Sequence, residues 1–282
     1  MKCGYVYVVN TCGYLDEALS SIASLRKVEP YAEVTIIGPQ ILNFRDSGIN
    51  WLDLEGCYDS PIIKVESVRC PYDAFIFLDT DTIVRRPVHE LFDLLDGVDM
   101  AFAHEQMRGW DYNTSVPRAF CEFNTGVMVV RRSEAVMTFF SEWKRRYDVL
   151  RSQLNLVNDQ PSFREVLWEF RELRFCTLPS EYHFVTGTPN YIAWDAHILH
   201  GREDLVELGN LIDLGSGPRV YVPPFGMVSG FQGRRSVLRS WLSISTHALN
   251  AMLGRNKQLV RKTSPVQWQS IVRSTVRDSA DE

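Results

Sequence analysis

The sequence predicts an α/β protein in which a mostly parallel central sheet is flanked by helices. Residues 5–9 have the composition of a strand, residues 17–26 carry apolar side chains at helical spacing, and residues 33–37 form a second apolar strand. A strand–helix–strand order of this kind is the repeating unit of parallel sheets. Residues 75–78, Phe-Ile-Phe-Leu, add an apolar run without helical period, which is typical of a strand buried on both faces.

The remaining elements follow in order from the same periodicities. A turn over residues 10–13 leads to Asp16, a candidate N-cap for the first helix. Asp159, followed by Gln160 and Pro161, predicts the start of a later helix, because proline is favoured in the first helical turn. The pattern predicts further strands at 50–54, 100–103 and 126–130, and helices at 62–68, 88–95, 133–151 and 161–170, with short strands and loops over 175–200.

Charge is distributed unevenly along the chain. The 282 residues together carry a net charge of −5, which argues against a general affinity for nucleic acid. Residues 231–282 hold nine Lys and Arg against three acidic residues, so this end is basic and the rest is acidic. We therefore predict a main domain over residues 1–214, a Pro/Gly-rich boundary over 215–233, and a basic, partly amphipathic helical tail over 234–282.

The six cysteines are scattered and form no Cys-x-x-Cys pair. In a chain of this length, such spacing favours reduced thiols over a disulfide framework or a zinc site. The first residues lack the basic start and apolar stretch of a signal peptide. No segment reaches the ~20 apolar residues of a membrane span. A cytoplasmic location is expected, at the inner face of a membrane if the tail binds lipid.

Two carboxylates, Asp79 and Asp81, follow the apolar run 75–78 at a spacing of two residues. Ligands of open α/β sheets bind beyond the carboxyl ends of the strands. Neighbouring acids repel each other unless a positive charge lies between them. A divalent cation carrying a phosphorylated ligand meets that need, because hard cations take carboxylate and phosphate oxygens. The alternative is a helix N-cap beside a solvated acid.

Four motifs that include these acids occur in a set order along the chain. They are Phe77-Leu78-Asp79-Thr80-Asp81-Thr82, Phe123-Asn124-Thr125-Gly126-Val127, Asn158-Asp159-Gln160-Pro161 and His200-Gly201. In this order they resemble the GT-A-fold glycosyltransferases, most of all the glycogenin-like and related nucleotide-diphospho-sugar transferases. The resemblance covers about residues 4–205. It implies that the main domain is a Rossmann-like catalytic domain.

The resemblance implies a site for Mn²⁺ or Mg²⁺ made by Asp79, Asp81 and His200. The metal would bridge the two phosphates of the donor and stabilise the leaving nucleoside diphosphate. The Gly-x-x-Lys-Pro-Trp signature that follows the histidine in the family is absent. Residues 201–204 read Gly-Arg-Glu-Asp instead, and Arg202 is the candidate cationic partner of a phosphate. The alternative interpretation of His200 is a packed or surface histidine.

The nucleotide is expected at the end of the first strand, by the same resemblance. There the ring of Tyr14 would stack on the base while Asn10 or backbone groups pair with its edge. Lys64 and Arg69 are the basic candidates for the diphosphate. A capped helix start and a solvated helix face are the respective alternatives. The full set of candidate nucleotide-binding residues is Asn10, Thr11, Tyr14, Lys64, Arg69, Asp79, Thr80 and Arg202.

The sugar pocket is expected at Asn124, Asp159 and Gln160, which are the catalytic candidates. Asn124 would hydrogen-bond sugar hydroxyls. In an inverting enzyme a carboxylate must take the acceptor's proton, and Asp159 is the best placed by motif. In a retaining enzyme the leaving diphosphate serves as the base and Gln160 faces the anomeric carbon. The late His-Gly pair favours retention, and Asp159 can act as a helix N-cap in either case.

Two further segments are candidates for the acceptor side. The loop 105–122 combines aromatic and charged residues (Glu105, Arg108, Trp110, Asp111 and Tyr112) and would either form an acceptor-side wall or simply anchor itself. Residues 236–253 place apolar side chains at roughly helical spacing among basic ones. Through residues 234–262 the tail would contact an anionic membrane, pack on the catalytic domain, or form a homodimer.

The function predicted from the sequence is metal-dependent transfer of a sugar from a nucleotide-diphosphate donor, UDP-linked by preference, to a saccharide or glycoconjugate hydroxyl. A phosphatase of the haloacid-dehalogenase type is one alternative, with Asp79 as nucleophile and Asp81 as acid/base. That class usually carries this motif on its first strand. The other alternative is a partner subunit that binds a sugar nucleotide without catalysis.

Overall fold

The computed structural model describes residues 1–42, 48–56, 59–105, 116–213, 217–223 and 226–229, together with positions 245 and 249. The strands are β1 Cys3–Val8, β2 Val34–Gly38, β3 Ile49–Asp53, β4 Ala74–Leu78, β5 Thr82–Val84, β6 Met100–His104, β7 Phe123–Arg131, β8 Phe175–Leu178, β9 Phe184–Val185, β10 Asn190–Ile192, β11 Ile198–His200, β12 Arg219–Val222 and β13 Gly226–Ser229. The α-helices are α1 Cys12–Val28, α2 Glu134–Leu154, α3 Gln160–Glu169 and α4 Leu205–Asp213, and 3₁₀ helices lie at Gln40–Leu42, Pro61–Arg69, His89–Asp96 and Ser180–Tyr182.

Seven strands form the central sheet in the order β3-β2-β1-β4-β7-β6-β8. The first four are mutually parallel, and β6 is parallel to β8. Only β7 runs against its neighbours among these seven strands, antiparallel to both β4 and β6. The predicted α/β fold with a largely parallel sheet flanked by helices is confirmed.

Both faces of the sheet are covered by apolar side chains, as the continuous hydrophobic strands require. On one face α2 and α3 pack an aromatic cluster against β6, in which Trp143 and Phe163 have ring centroids 4.8 Å apart and Phe102 and Phe163 are 5.1 Å apart. On the other face Ile22 and Leu25 of α1 are buried against the sheet. The sheet is therefore a rigid platform for residues at its edges.

Several predicted boundaries differ from the structure. Helix α1 begins at Cys12, and Thr11 caps it by accepting a hydrogen bond from the Tyr14 N–H at 3.3 Å, so the assignment of Asp16 as N-cap is wrong. The predicted helices 62–68 and 88–95 are 3₁₀ helices. Strand β7 begins at residue 123, before the predicted start at 126, because Phe123 and Asn124 pair with β6.

The sequence did not predict strand β5, helix α4 or strands β12 and β13. Strand β5 pairs antiparallel with β11, which in turn pairs parallel with β9. Helix α4 follows directly. Strands β12 and β13 fall within the predicted boundary 215–233 and join β10 in a small sheet. The division of the chain into domains remains a prediction.

Some predictions concern residues outside those that the structure describes. One is the part of the predicted acceptor-side loop 105–122 that spans residues 106–115, with Arg108, Trp110, Asp111 and Tyr112. The other is the basic tail apart from positions 245 and 249. Membrane contact or dimerisation through residues 234–262 therefore stays a prediction. In the part of the chain that is described, no helix combines the length and the apolar character needed to cross a bilayer.

Candidate active site

A cavity of about 370 Å³ opens beyond the carboxyl ends of β1 and β4. This is the edge at which open α/β sheets bind their ligands. Its lining includes most of the predicted site residues, drawn from six separate stretches of the chain: Asn10, Tyr14, Lys64, Asp79, Thr80, Asp81, Asn124, Asp159, Gln160, His200 and Arg202. Thr11 and Arg69 do not line it.

Asp79, Asp81 and His200 converge on one side of this cavity. Their candidate ligand atoms all lie within 4.8 Å of one another. His200 Nε2 is 3.1 Å from Asp81 Oδ1 and 3.7 Å from Asp79 Oδ2. The two acids follow β4, and the antiparallel pairing of β5 with β11 sets His200 opposite Thr82. Two carboxylates and one imidazole fit Mn²⁺ or Mg²⁺, since carboxylates suit both ions and Mn²⁺ also accepts nitrogen.

The charges in this cluster balance one another within a buried site. Burial raises the pKa of Asp79, and the positive charges of Lys64 and His200 only partly offset the rise. Burial would also raise the pKa of Asp81, but the hydrogen bond and charge of His200, with the charge of Arg202, lower it. For His200 burial would lower the pKa, and the contact with Asp81 reverses the sign. A proton on His200 Nε2 would lie beside the two carboxylates, where a cation would otherwise bind.

Lys64 contacts carboxylates from two parts of the site, Asp79 and Asp159. It is 6% exposed, and its Nζ donates to Asp79 Oδ2 at 3.2 Å and to Thr125 Oγ1 at 3.1 Å. The same Nζ lies 3.7 Å from Asp159 Oδ2, which also accepts a hydrogen bond from Thr125 at 2.7 Å. Burial would lower the pKa of Lys64, but the charges of Asp159 and Asp79 outweigh it and raise the pKa. The lysine is a buried cation shared by two carboxylates.

Gly126 allows the metal-site residues to approach the sheet. A Cβ at this position would overlap the His200 ring and lie 3.0 Å from Asp79 Oδ2. The position belongs to a β-bulge, because β7 shifts its register against β6 between Phe102 and Ala103, leaving residues 125–127 without partners there. Bulges are common next to active sites, where they re-aim side chains.

The sugar-side candidates are held by a buried carboxylate. Asn124 Nδ2 donates to Glu105 Oε2 at 2.7 Å, and Gln160 Nε2 donates to the same oxygen at 3.1 Å. Asn124 Oδ1 accepts from the Gly126 N–H at 2.9 Å. Asp159 occupies the N-cap position of α3, but its side chain makes no capping hydrogen bond and faces Lys64 instead.

Tyr14 is 41% exposed at the cavity, and the Arg202 guanidinium carbon lies 5.8 Å from its ring centroid. Arg202 Nε donates to Glu17 Oε1 at 3.2 Å, and Arg202 Nη2 is 3.6 Å from Asp81 Oδ2. Glu17 also accepts from Thr80 Oγ1 at 2.7 Å.

The structure places the two residues outside the cavity in other roles. Thr11 caps α1. Arg69 pairs with Glu55 at 2.6 Å and with Glu66 at 3.0 Å. These ion pairs give Arg69 a surface structural role, while Lys64, five residues earlier on the same 3₁₀ helix, faces the site.

A family model matches part of the chain. Residues 73–197 match the model of the nucleotide-diphospho-sugar transferase family. The match covers 125 of the 282 residues, less than half of the chain. Members of this family are glycosyltransferases, and the matched segment includes Asp79, Asp81, Asn124, Asp159 and Gln160. His200 lies just beyond its end.

Solved structures include proteins of similar fold. The galactosyltransferase LgtC, in complex with donor and acceptor sugar analogues, is 13% identical with a TM-score of 0.52, covering 71% of this chain and 87% of its own. The similarity to LgtC shows that the fold is that of the GT-A glycosyltransferases. Mouse xyloside xylosyltransferase 1 is 12% identical with a TM-score of 0.49, covering 72% and 98%. A comparison with curated protein sequences finds no match.

Several residues of the site have roles that were not assigned from the sequence. Glu17 links Arg202 to Thr80, and Gly126 admits His200. Glu105 was predicted only as part of an acceptor-side loop, whereas it holds Asn124 and Gln160. His183 contacts His200 and has no signal in the local sequence. Gly126 lies inside the motif of residues 123–127, and this motif is the sequence signal that could have identified it.

Proposed function

We propose that this protein transfers a sugar from a nucleotide-diphosphate donor, with UDP preferred, to a hydroxyl of a saccharide or glycoconjugate. The observation that carries the proposal is the convergence of Asp79, Asp81 and His200 within 4.8 Å beside a cavity with polar walls. The cavity is large enough for a small ligand, and its volume lies in the range of small-molecule sites.

We assign Asp79, Asp81 and His200 to hold Mn²⁺ or Mg²⁺ together with the donor diphosphate. When bound, the cation acts as a Lewis acid that neutralises the charge developing on the leaving diphosphate. The chain's own cations share that task. Arg202 lies at the cavity rim and offers a guanidinium to phosphate oxygens. Lys64, buried between two acids, is fixed as a charge at the junction of diphosphate and sugar.

The nucleotide base is assigned to Tyr14 and Asn10. Tyr14 is exposed at the cavity and has Arg202 beside its ring, so one face of the base would stack on the phenol. Asn10 carries both a donor and an acceptor, which is what a uracil edge requires. Asp79 and Thr80 line the same cavity, and we assign the ribose to this part of the wall.

The sugar is assigned to Asn124, Asp159 and Gln160. Asp159 is tied to the cavity wall by Thr125 and Lys64, so its carboxylate is better placed to accept from a sugar hydroxyl than to remove the acceptor's proton. Asp59, another carboxylate in the lining, pairs with Arg151 at 2.8 Å. These pairings favour retention, in which the leaving diphosphate takes the proton and Gln160 faces the anomeric carbon.

Calorimetric titration of the protein with UDP, GDP and CDP, each with and without Mn²⁺, tests this proposal. We expect one nucleotide, UDP, to bind, and only in the presence of Mn²⁺. Asp81→Asn preserves the shape of the side chain but removes its charge, and should weaken that binding by tenfold or more. Asp148→Asn is the control, because Asp148 is exposed on α2 and pairs only with Lys144 among the described contacts.

Two outcomes would overturn the proposal. A folded protein that binds none of the three nucleotides would return the phosphatase and non-catalytic alternatives to consideration. Asp81→Asn that binds the nucleotide and Mn²⁺ as the wild type does would remove Asp81 from the metal site. Once a donor is found, NMR of the product's anomeric proton distinguishes retention from inversion.

A further inference from the structure

We propose that His183 is a positioning residue for the metal ligand His200: it accepts a hydrogen bond from His200 Nδ1–H and thereby presents the lone pair of His200 Nε2 to the cation. This inference rests on the proposed metal site. It concerns a residue that lies 17 positions earlier in the chain and does not line the main cavity.

The two histidine rings are in direct contact. His183 Nε2 is 2.8 Å from His200 Nδ1, and the ring centroids are 4.9 Å apart. His183 is 3% exposed. The contact is set by backbone pairing: His183 immediately precedes β9, which pairs in parallel with β11, so that Val185 lies opposite His200. The strands thus hold both rings at fixed positions.

The proton positions follow from the chemistry of the two rings. A histidine that binds a cation through Nε2 must keep its proton on Nδ1. His200 Nδ1–H then has one partner within reach in the described structure, and this is His183 Nε2. That nitrogen can accept only if the proton of His183 is on Nδ1. Metal-bound histidines generally rely on such an outer partner to fix tautomer and orientation.

The other nitrogen of the His183 ring, Nδ1, then carries a proton that needs an acceptor. Among the described residues His183 Nδ1 has no hydrogen-bond partner, although it is buried. His183 also lines a second cavity of about 60 Å³, whose walls include the polar side chains of Ser180, Thr188, Asn190 and Glu105. A buried polar space needs roughly 10–15 Å³ to hold a water molecule with two or more partners. We assign a water there as the acceptor of His183 Nδ1–H.

This arrangement connects the metal site to the sugar site. Glu105 lines the same small cavity and holds Asn124 and Gln160 on its other side. The small cavity is therefore lined by Glu105, which holds the sugar-side candidates, and by His183, which contacts the proposed metal ligand His200.

The test compares Mn²⁺ affinities by electron paramagnetic resonance of free Mn²⁺, without nucleotide. In His183→Phe the ring keeps its bulk but loses its acceptor, and we expect Mn²⁺ to bind about 10–100-fold more weakly. In His183→Gln the side-chain carbonyl can take the place of Nε2, so affinity should be largely rescued. His89→Phe is the control, since His89 is exposed and outside both cavities.

A second measurement needs no variant. Long-range ¹H–¹⁵N spectra of the wild type loaded with Mg²⁺ should show both His183 and His200 as Nδ1–H tautomers. The Nε2–H tautomer for His183, or a folded His183→Phe with wild-type Mn²⁺ affinity, would overturn the inference while leaving the metal site intact. Absence of Mn²⁺ binding by the wild type would instead overturn the metal site, and with it this inference.

Discussion

Replacing Lys64 by methionine should destabilise the protein strongly. The change keeps an unbranched apolar chain but leaves Asp79 and Asp159 without their shared cation. At an effective dielectric constant of about 20, charges 3.2 Å and 3.7 Å apart attract by about 5 and about 4.5 kcal/mol. Desolvation of the three groups cancels much of this attraction, so we expect the free energy of unfolding to fall by about 3–5 kcal/mol.

Urea denaturation, with EDTA present, measures this loss at pH 7 and at about pH 5. Burial raises the pKa of Asp79 above 3.8 and Lys64 opposes the rise, so in Lys64→Met the pKa climbs further. A carboxyl that holds its proton more tightly when folded adds stability at low pH and loses it as pH rises through the folded pKa. The deficit of Lys64→Met against wild type should therefore shrink on acidification.

Two comparisons make the result specific. Arg69→Met removes a cation from the same 3₁₀ helix, but Arg69 is itself partly exposed and its partner Glu55 is largely exposed to solvent, so the cost should be at most about 1 kcal/mol. Adding Asp159→Asn to Lys64→Met removes one of the two orphaned charges and should recover part of the loss. Equal urea midpoints for Lys64→Met and wild type would refute the assignment of Lys64 as the charge that holds the two carboxylates.

Two further predictions concern ligand binding. Gly126→Ala places a methyl group against the ring of His200 and near Asp79, and should lower Mn²⁺ affinity at least tenfold in a protein that still folds; unchanged affinity would contradict the close approach. Tyr14→Ala should weaken UDP binding by about tenfold, the equivalent of about 1.4 kcal/mol of stacking, while Tyr14→Phe keeps it. If the phenylalanine variant loses as much as the alanine variant, the hydroxyl rather than the ring binds the base.

The sheet and the metal-site acids could be predicted because each has a local signal. Continuous apolar runs identify β1, β2 and β4, and the rule that ligands bind at carboxyl ends of strands locates Asp79 and Asp81. The motif order then identified Asn124, Asp159 and Gln160, all of which line the cavity. Features that have a local sequence signal, or that belong to an ordered motif, could therefore be predicted.

The rest depends on pairings between distant segments. His183 meets His200 only because β9 lies beside β11. Lys64 and Arg69 share one 3₁₀ helix, and hydrophobic periodicity alone does not say which basic side chain faces the site. The capping residue of α1 was misassigned because Thr11 and Asp16 are both good N-caps by type, and only the backbone distinguishes them.

In the bulge of β7, one backbone N–H is hydrogen-bonded to a side chain rather than to a neighbouring strand. The Gly126 N–H is bonded to Asn124 Oδ1. Its exchange with deuterium therefore requires that amide to turn away, whereas a ladder N–H of β7 exchanges when strands separate. A sugar that draws Asn124 toward itself should thus change the protection of a single backbone amide. The exchange rate of the Gly126 amide would therefore report whether Asn124 is bound to a ligand.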